Sequence, residues 1–199
     1  MSKFFAIIIF LLFSSVSRSQ TVPDSSQIPD ASIGELEQLI SREDWVAVAS
    51  KSLNYITKLR SDTSDLRAQL NFVFILASAA KTSQEEMSYD DLSKAVKNFV
   101  GKKVFLPVFT ISTGKGPCFN FYCPGEDEYD VFSTATNQAG TYIFAFIYAK
   151  TGAKFDFIKN AGHHAYLKGT IESIKPNPNK SLALILRIYI KEASLQLID

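Results

Sequence analysis

The chain has 199 residues, with 21 Lys and Arg against 20 Asp and Glu and a formal net charge of +1. That balance is too weak to argue for a nucleic-acid binder, whose affinity comes from clustered Lys and Arg. Residues 20–99 carry 8 basic against 12 acidic side chains, net −4, and residues 100–199 carry 11 against 8, net +3. The split predicts two units.

The opening "MSKFFAIIIFLLFSSVSRSQ" sets Lys3 before an unbroken apolar run from Phe4 to Phe13, then small and polar residues. This is the three-part pattern of a secretory signal peptide, expected over residues 1–19. The run is too short to span a bilayer, which takes about 20 apolar residues. No later stretch reaches that length, since "SLALILRIYI" carries Arg187. The expectation is an exported protein, periplasmic or secreted, with no transmembrane segment in the mature chain.

"TVPDSSQIPDAS" has no periodicity and reads as a leader over 20–32. From 33 to 100 the pattern is helical. Trp45, Val48, Ser52, Leu53, Ile56 and Leu59 fall on one face. Ser41, with Asp44 three residues on, offers a capping signal, and Ser64 or Asp62 caps the next helix. "SDLRAQLNFVFILASAAK" is apolar nearly all round, so its helix should be the most buried. Ser88 caps a last helix that carries Asp90 and Asp91 in its first turn, with Gly101 as the stop.

After Gly101 the period changes to alternation. Strands are predicted over 102–113, 129–137, 141–150, 165–175 and 181–192, separated by "GKGP", "NQAG", "TGAK" and "PNPNK". The class is α+β: an antiparallel helical unit followed by a five-stranded barrel over 101–199.

Both cysteines lie in "CFNFYC" and both histidines in "GHH". Adjacent His163 and His164 point to opposite sides of an extended segment, and the cysteine spacing exceeds the usual two to four residues between zinc ligands. A disulfide between Cys118 and Cys123 is favoured in an oxidising compartment, with buried thiols as the alternative. No metal and no cofactor are expected. Phe119, Phe121 and Tyr122 between the cysteines could form a ligand-facing loop tip, or pack beneath it. In "TYIFAFIYAK", Tyr142, Phe144, Phe146 and Tyr148 line one strand face, and Ile143, Ala145, Ile147 and Ala149 the other. The aromatic face either binds a ligand or lies under the helical unit.

"AYLKGTIESIKPNPNKSLALILRIYI", with the strand order before it, resembles an OB-fold. "EDWVAVASKSLNYITKL" and "LRAQLNFVFILASAAK" resemble a tetratricopeptide-type hairpin. An OB-fold implies ligand contact on its outer strands and on the loop between the first two strands. The sequence holds no G-x-S-x-G and no HExxH. The reading is therefore a non-enzymatic exported binding or adaptor module for a protein, peptide or saccharide. The alternatives are a secreted enzyme inhibitor or small hydrolase, and a single-stranded nucleic-acid or oligosaccharide binder.

Overall fold

The computed structural model describes residues 30–59, 64–113, 120–123, 129–152 and 155–198. Among them are four helices: α1 (Asp30–Ser41), α2 (Trp45–Lys58), α3 (Asp65–Ser83) and α4 (Tyr89–Lys97). Helix α1 begins inside the expected leader, at Asp30. The cap of α2 is Asp44, whose carboxylate accepts from the Ala47 amide at 3.1 Å, and not Ser41. Ser41 instead lies in the last turn of α1, where its hydroxyl donates to the Gln38 carbonyl. Ser64 and Ser88 cap α3 and α4 as expected. Helix α3 is buried almost throughout, with Leu70, Ile75, Ala77, Ala79 and Ala80 fully enclosed.

Seven strands follow: β1 (Lys103–Phe105), β2 (Phe109–Ile111), β3 (Asn120–Phe121), β4 (Val131–Thr136), β5 (Ile143–Thr151), β6 (His164–Pro176) and β7 (Leu184–Ile198). They form one open mixed sheet in the order β3-β2-β6-β7-β5-β4, and β1 pairs with β6 beside β2. The five-stranded closed barrel is thus corrected to a seven-stranded open sheet. The predicted first strand breaks at Leu106-Pro107-Val108, because Pro107 has no N–H to give the ladder. The additional strand β3 runs parallel to β2. Strand β7 reaches well past residue 192, pairing Ser194–Ile198 with His164–Lys168. A single bridge, Tyr122 with Phe132, links the two ends of the strand order.

β5 and β7 are parallel, and β6 and β7 form a long antiparallel hairpin. Between Lys168 and Thr170 that hairpin slips register at a bulge, where Glu192 takes a φ of 51°. Gly169 stands opposite the bulge and Ile190 packs over its backbone. One continuous core holds helix residues (Leu36, Val48, Leu70, Ile75, Leu92) and strand residues (Val104, Ile111, Ala145, Ile147, Ile171, Ile188) together. The Asn71 amide donates to the Lys103 carbonyl at 2.9 Å, and the Tyr89 hydroxyl donates to the Ser181 carbonyl at 2.7 Å. Helices and sheet are therefore joined by polar contacts as well as by apolar burial. No helix among the described residues is long and apolar enough to cross a membrane.

Candidate functional site

Alternation in β5 sends Ile147 and Ala149 into the core and leaves Phe146 and Tyr148 half-buried on the outer face. Register decides what they meet there. Tyr148 is the Cα partner of Phe132 in β4 and of Tyr189 in β7, while Phe146 partners Thr134 and Arg187. Tyr122 joins the same row through its bridge to Phe132. The outcome is a contiguous aromatic row across the strands. Tyr122 and Phe132 have ring centroids 4.9 Å apart, Phe132 and Tyr148 4.8 Å, and Tyr148 and Tyr189 5.2 Å. Phe146 lies 5.5 Å from Phe132, and Tyr129 lies 5.3 Å from Tyr189.

The rim of the row is polar. Lys175 holds its ammonium 4.7 Å over the Tyr189 ring, and Arg187 stands half-buried directly across the ladder from Lys175. Beside the same Tyr189 ring, the Tyr129 hydroxyl donates to Glu172 Oε2 at 3.0 Å. Burial lifts the Tyr122 phenol above its ordinary value, and nearby Tyr148 adds to the rise. The Tyr122 phenol therefore stays protonated through the physiological range.

The aromatic stripe expected in β5 is divided between two environments. Phe144, 2% exposed, is covered from the helical side by Trp45, edge-on at 5.2 Å. Tyr142 lies exposed before the strand begins. Phe146 and Tyr148 remain in the open half. Of the loop rings, Phe121 is fully buried against Phe109, with centroids 5.0 Å apart, so it faces away from the row; Tyr122 joins it. Phe119 and Cys118 lie outside the described residues, and with Cys118 goes the expected disulfide; Cys123 is exposed. His163 and His164 are both exposed, and His164 Nδ1 lies 3.3 Å from Thr110 Oγ1.

Sequence reasoning missed Tyr129, Phe132, Tyr189, Arg187 and Lys175. The alternation in "YDVF" and "RIYIK" carried the signal. Each segment contributes one or two members, so the row emerges only once the register of three strands is known. No protein-family model, curated protein or solved structure matches this chain.

Proposed function

We propose that the protein is an exported, non-enzymatic binding or adaptor module whose ligand lies across the outer face of β4, β5 and β7. The observation that carries the reading is the divided stripe. The helices cover Phe144, and Tyr122 and Phe132 are themselves buried, but Phe146, Tyr148 and Tyr189 stay half-buried on the outer face, with cations beside them. Rings give a large contact area with few rotatable bonds, which suits recognition. Rings that served only to pack would be covered as Phe144, Tyr122 and Phe132 are, because exposed contiguous apolar surface is a solubility liability, so the half-open Phe146, Tyr148 and Tyr189 are the ones that support recognition.

The β-sheet unit is, in this reading, OB-like with a broken first strand and an added β3. Its support is the connectivity: hairpins β4-β5 and β6-β7, the parallel β5-β7 pair, β1 and β2 both against β6, and the Tyr122–Phe132 bridge between the ends. Export rests on the Lys3-plus-apolar-run pattern, and N-terminal sequencing of the secreted or periplasmic protein tests it. The Cys118–Cys123 disulfide follows from export, and an intact mass two hydrogens below the reduced value would support it.

The decisive test of the binding reading is Tyr148→Leu, which removes the ring but keeps apolar bulk. Its melting temperature should stay within a few degrees of the parent value, while affinity for acidic peptide, oligosaccharide or single-stranded oligonucleotide falls at least tenfold for whichever the protein binds. If none of these three classes binds, or binding is indifferent to Tyr148→Leu, the face is not a recognition surface.

A further inference from the structure

The two cations on the rim are an unusual arrangement. Arg187 and Lys175 are direct partners across β7 and β6, and like charges placed opposite one another on a sheet repel. Neither has a carboxylate within salt-bridge distance among the described residues; Lys175 has only the face of Tyr189. Two other sheet lysines are paired, Lys168 with Asp65 at 2.7 Å and Lys103 with Glu192 at 3.8 Å. Among the described residues the acidic side chain at this face is Glu172, held by the Tyr129 hydroxyl. Among the described residues, the open half of the row thus carries a pair of positive charges that no carboxylate meets.

The rings narrow the chemistry further. Tyr148 and Tyr189 lie nearly parallel, 13° apart, and Phe132 meets Tyr148 at 75°. Tyr148 and Tyr189 stack on one another and Lys175 lies over the Tyr189 ring, so the surface these two half-buried tyrosines offer is ring edges and phenol hydroxyls. A sugar or a base stacks on an open face. Ring edges carry the positive end of the aromatic quadrupole and favour anions. Edges beside an unpaired Arg–Lys couple make a surface for carboxylates with apolar groups between them.

We infer that this face binds an extended acidic peptide, with carboxylates at Arg187 and Lys175 and apolar side chains over Phe146 and Tyr148. The inference rests on the binding-module reading above. Arg187 supplies a planar fork that grips a carboxylate at two oxygens, and Lys175 a point charge beside it.

The test uses the full-length mature chain and a fluorescein-labelled peptide of alternating Glu and Leu, read by anisotropy. The alternating Lys-Leu peptide, a dT oligonucleotide and a cello-oligosaccharide serve as comparisons. The Glu-Leu peptide should bind, the Lys-Leu peptide should not, and affinity should fall with added salt. Arg187→Glu and Lys175→Glu should each weaken binding at least tenfold. Each should also leave the melting temperature unchanged or raise it, because a single reversal turns a repulsive cross-strand pair into an attractive one. Loss of binding without loss of stability separates a recognition role from a structural one. If the Glu-Leu peptide fails to bind, or binds equally to Arg187→Glu, the acidic-peptide inference is overturned. If the oligonucleotide or the saccharide binds instead and loses affinity in Tyr148→Leu, that inference falls while the binding face stands. If no probe responds to Tyr148→Leu, both fall together.

Discussion

Replacing Gly169 by Ala should be among the most damaging single changes in the sheet. A Cβ built there lies 2.4 Å from Ile190 Cγ2, 3.1 Å from the Lys191 carbonyl oxygen and 3.2 Å from the Ala193 Cα. Ile190 has no exposed surface, so its methyl cannot swing into solvent. The other two contacts are backbone, and backbone of a bulge whose Glu192 already occupies the left-handed region. Relief requires the β6-β7 hairpin to open at the point where its register slips. Overpacking of this kind costs about 1–3 kcal/mol, and the rigid neighbours place Gly169→Ala at the upper end. For a chain of this size each kcal/mol moves the melting temperature by about 2–4 °C, giving a fall of roughly 5–10 °C. Thermal melts and urea midpoints at unchanged m-value measure it. Gly34→Ala in α1 is the control: nothing lies within 4 Å of its added Cβ, and helix propensity should bring a gain of about 1 kcal/mol. Gly169→Ala combined with Ile190→Ala should cost less than the sum of the two, since the second change removes the atom that clashes. A Gly169→Ala protein melting within about 1 °C of the parent, well below one kcal/mol on that scale, would refute the packing argument.

The indole Nε1 of Trp45 is buried with no hydrogen-bond partner among the described residues. Trp45→Phe, which removes that donor, should therefore cost within about 1 kcal/mol, while Trp45→Ala should cost about 3–5 kcal/mol and uncover Phe144; chemical denaturation separates the two. Ser88→Ala removes the hydroxyl that accepts from the Asp91 amide and donates to its carboxylate, and should destabilise by about 1 kcal/mol. The Ser88 hydrogen bond, with Lys94 beside it, holds the Asp91 carboxyl below its ordinary 3.8. A lowered folded value means the carboxylate's share of the stabilisation is present above 3.8 and is lost as pH falls through the folded value, so the gap between parent and Ser88→Ala should narrow at strongly acid pH without closing, because the amide cap does not titrate. Tyr89→Phe leaves the ring but frees the Ser181 carbonyl, and should lower stability by about 1 kcal/mol without changing binding at the aromatic row.

The helices were legible because their signals are local. Ser64 and Ser88 sit where caps belong, and the apolar run from Leu66 to Ala80 can only be an enclosed helix. Asp44 displaced Ser41 because the chain turns through Glu43 at a positive φ, a backbone choice that composition does not reveal. The strand positions near Val131, Ile143 and Ala165 were readable from alternation, but the split at Pro107 and the extension to Ile198 were not. "EASLQLI" is rich in helix formers and becomes a strand only because β6 offers it a ladder. The candidate site was half visible for the same reason. Phe146 and Tyr148 announce themselves within one segment, whereas Phe132, Tyr189 and the Arg187–Lys175 couple are assembled by cross-strand register.

The parallel β5-β7 pair also bears on how the chain reaches its fold. Its two strands cannot meet through a tight turn: β6 and its connections must be laid down before Ile143 finds Leu184. Other ties are more distant still, with Lys168 joined to Asp65 103 residues away and the Gln138 amide to Glu43 95 residues away. Long-range pairing of this sort belongs to the slow end of folding rates, from milliseconds to seconds. During that interval the β4-β5 and β6-β7 hairpins expose apolar edges that fit one another, and fit the same edges on neighbouring chains equally well. Refolding yield should therefore decline as protein concentration rises, through capture of half-built sheets before the parallel ladder closes.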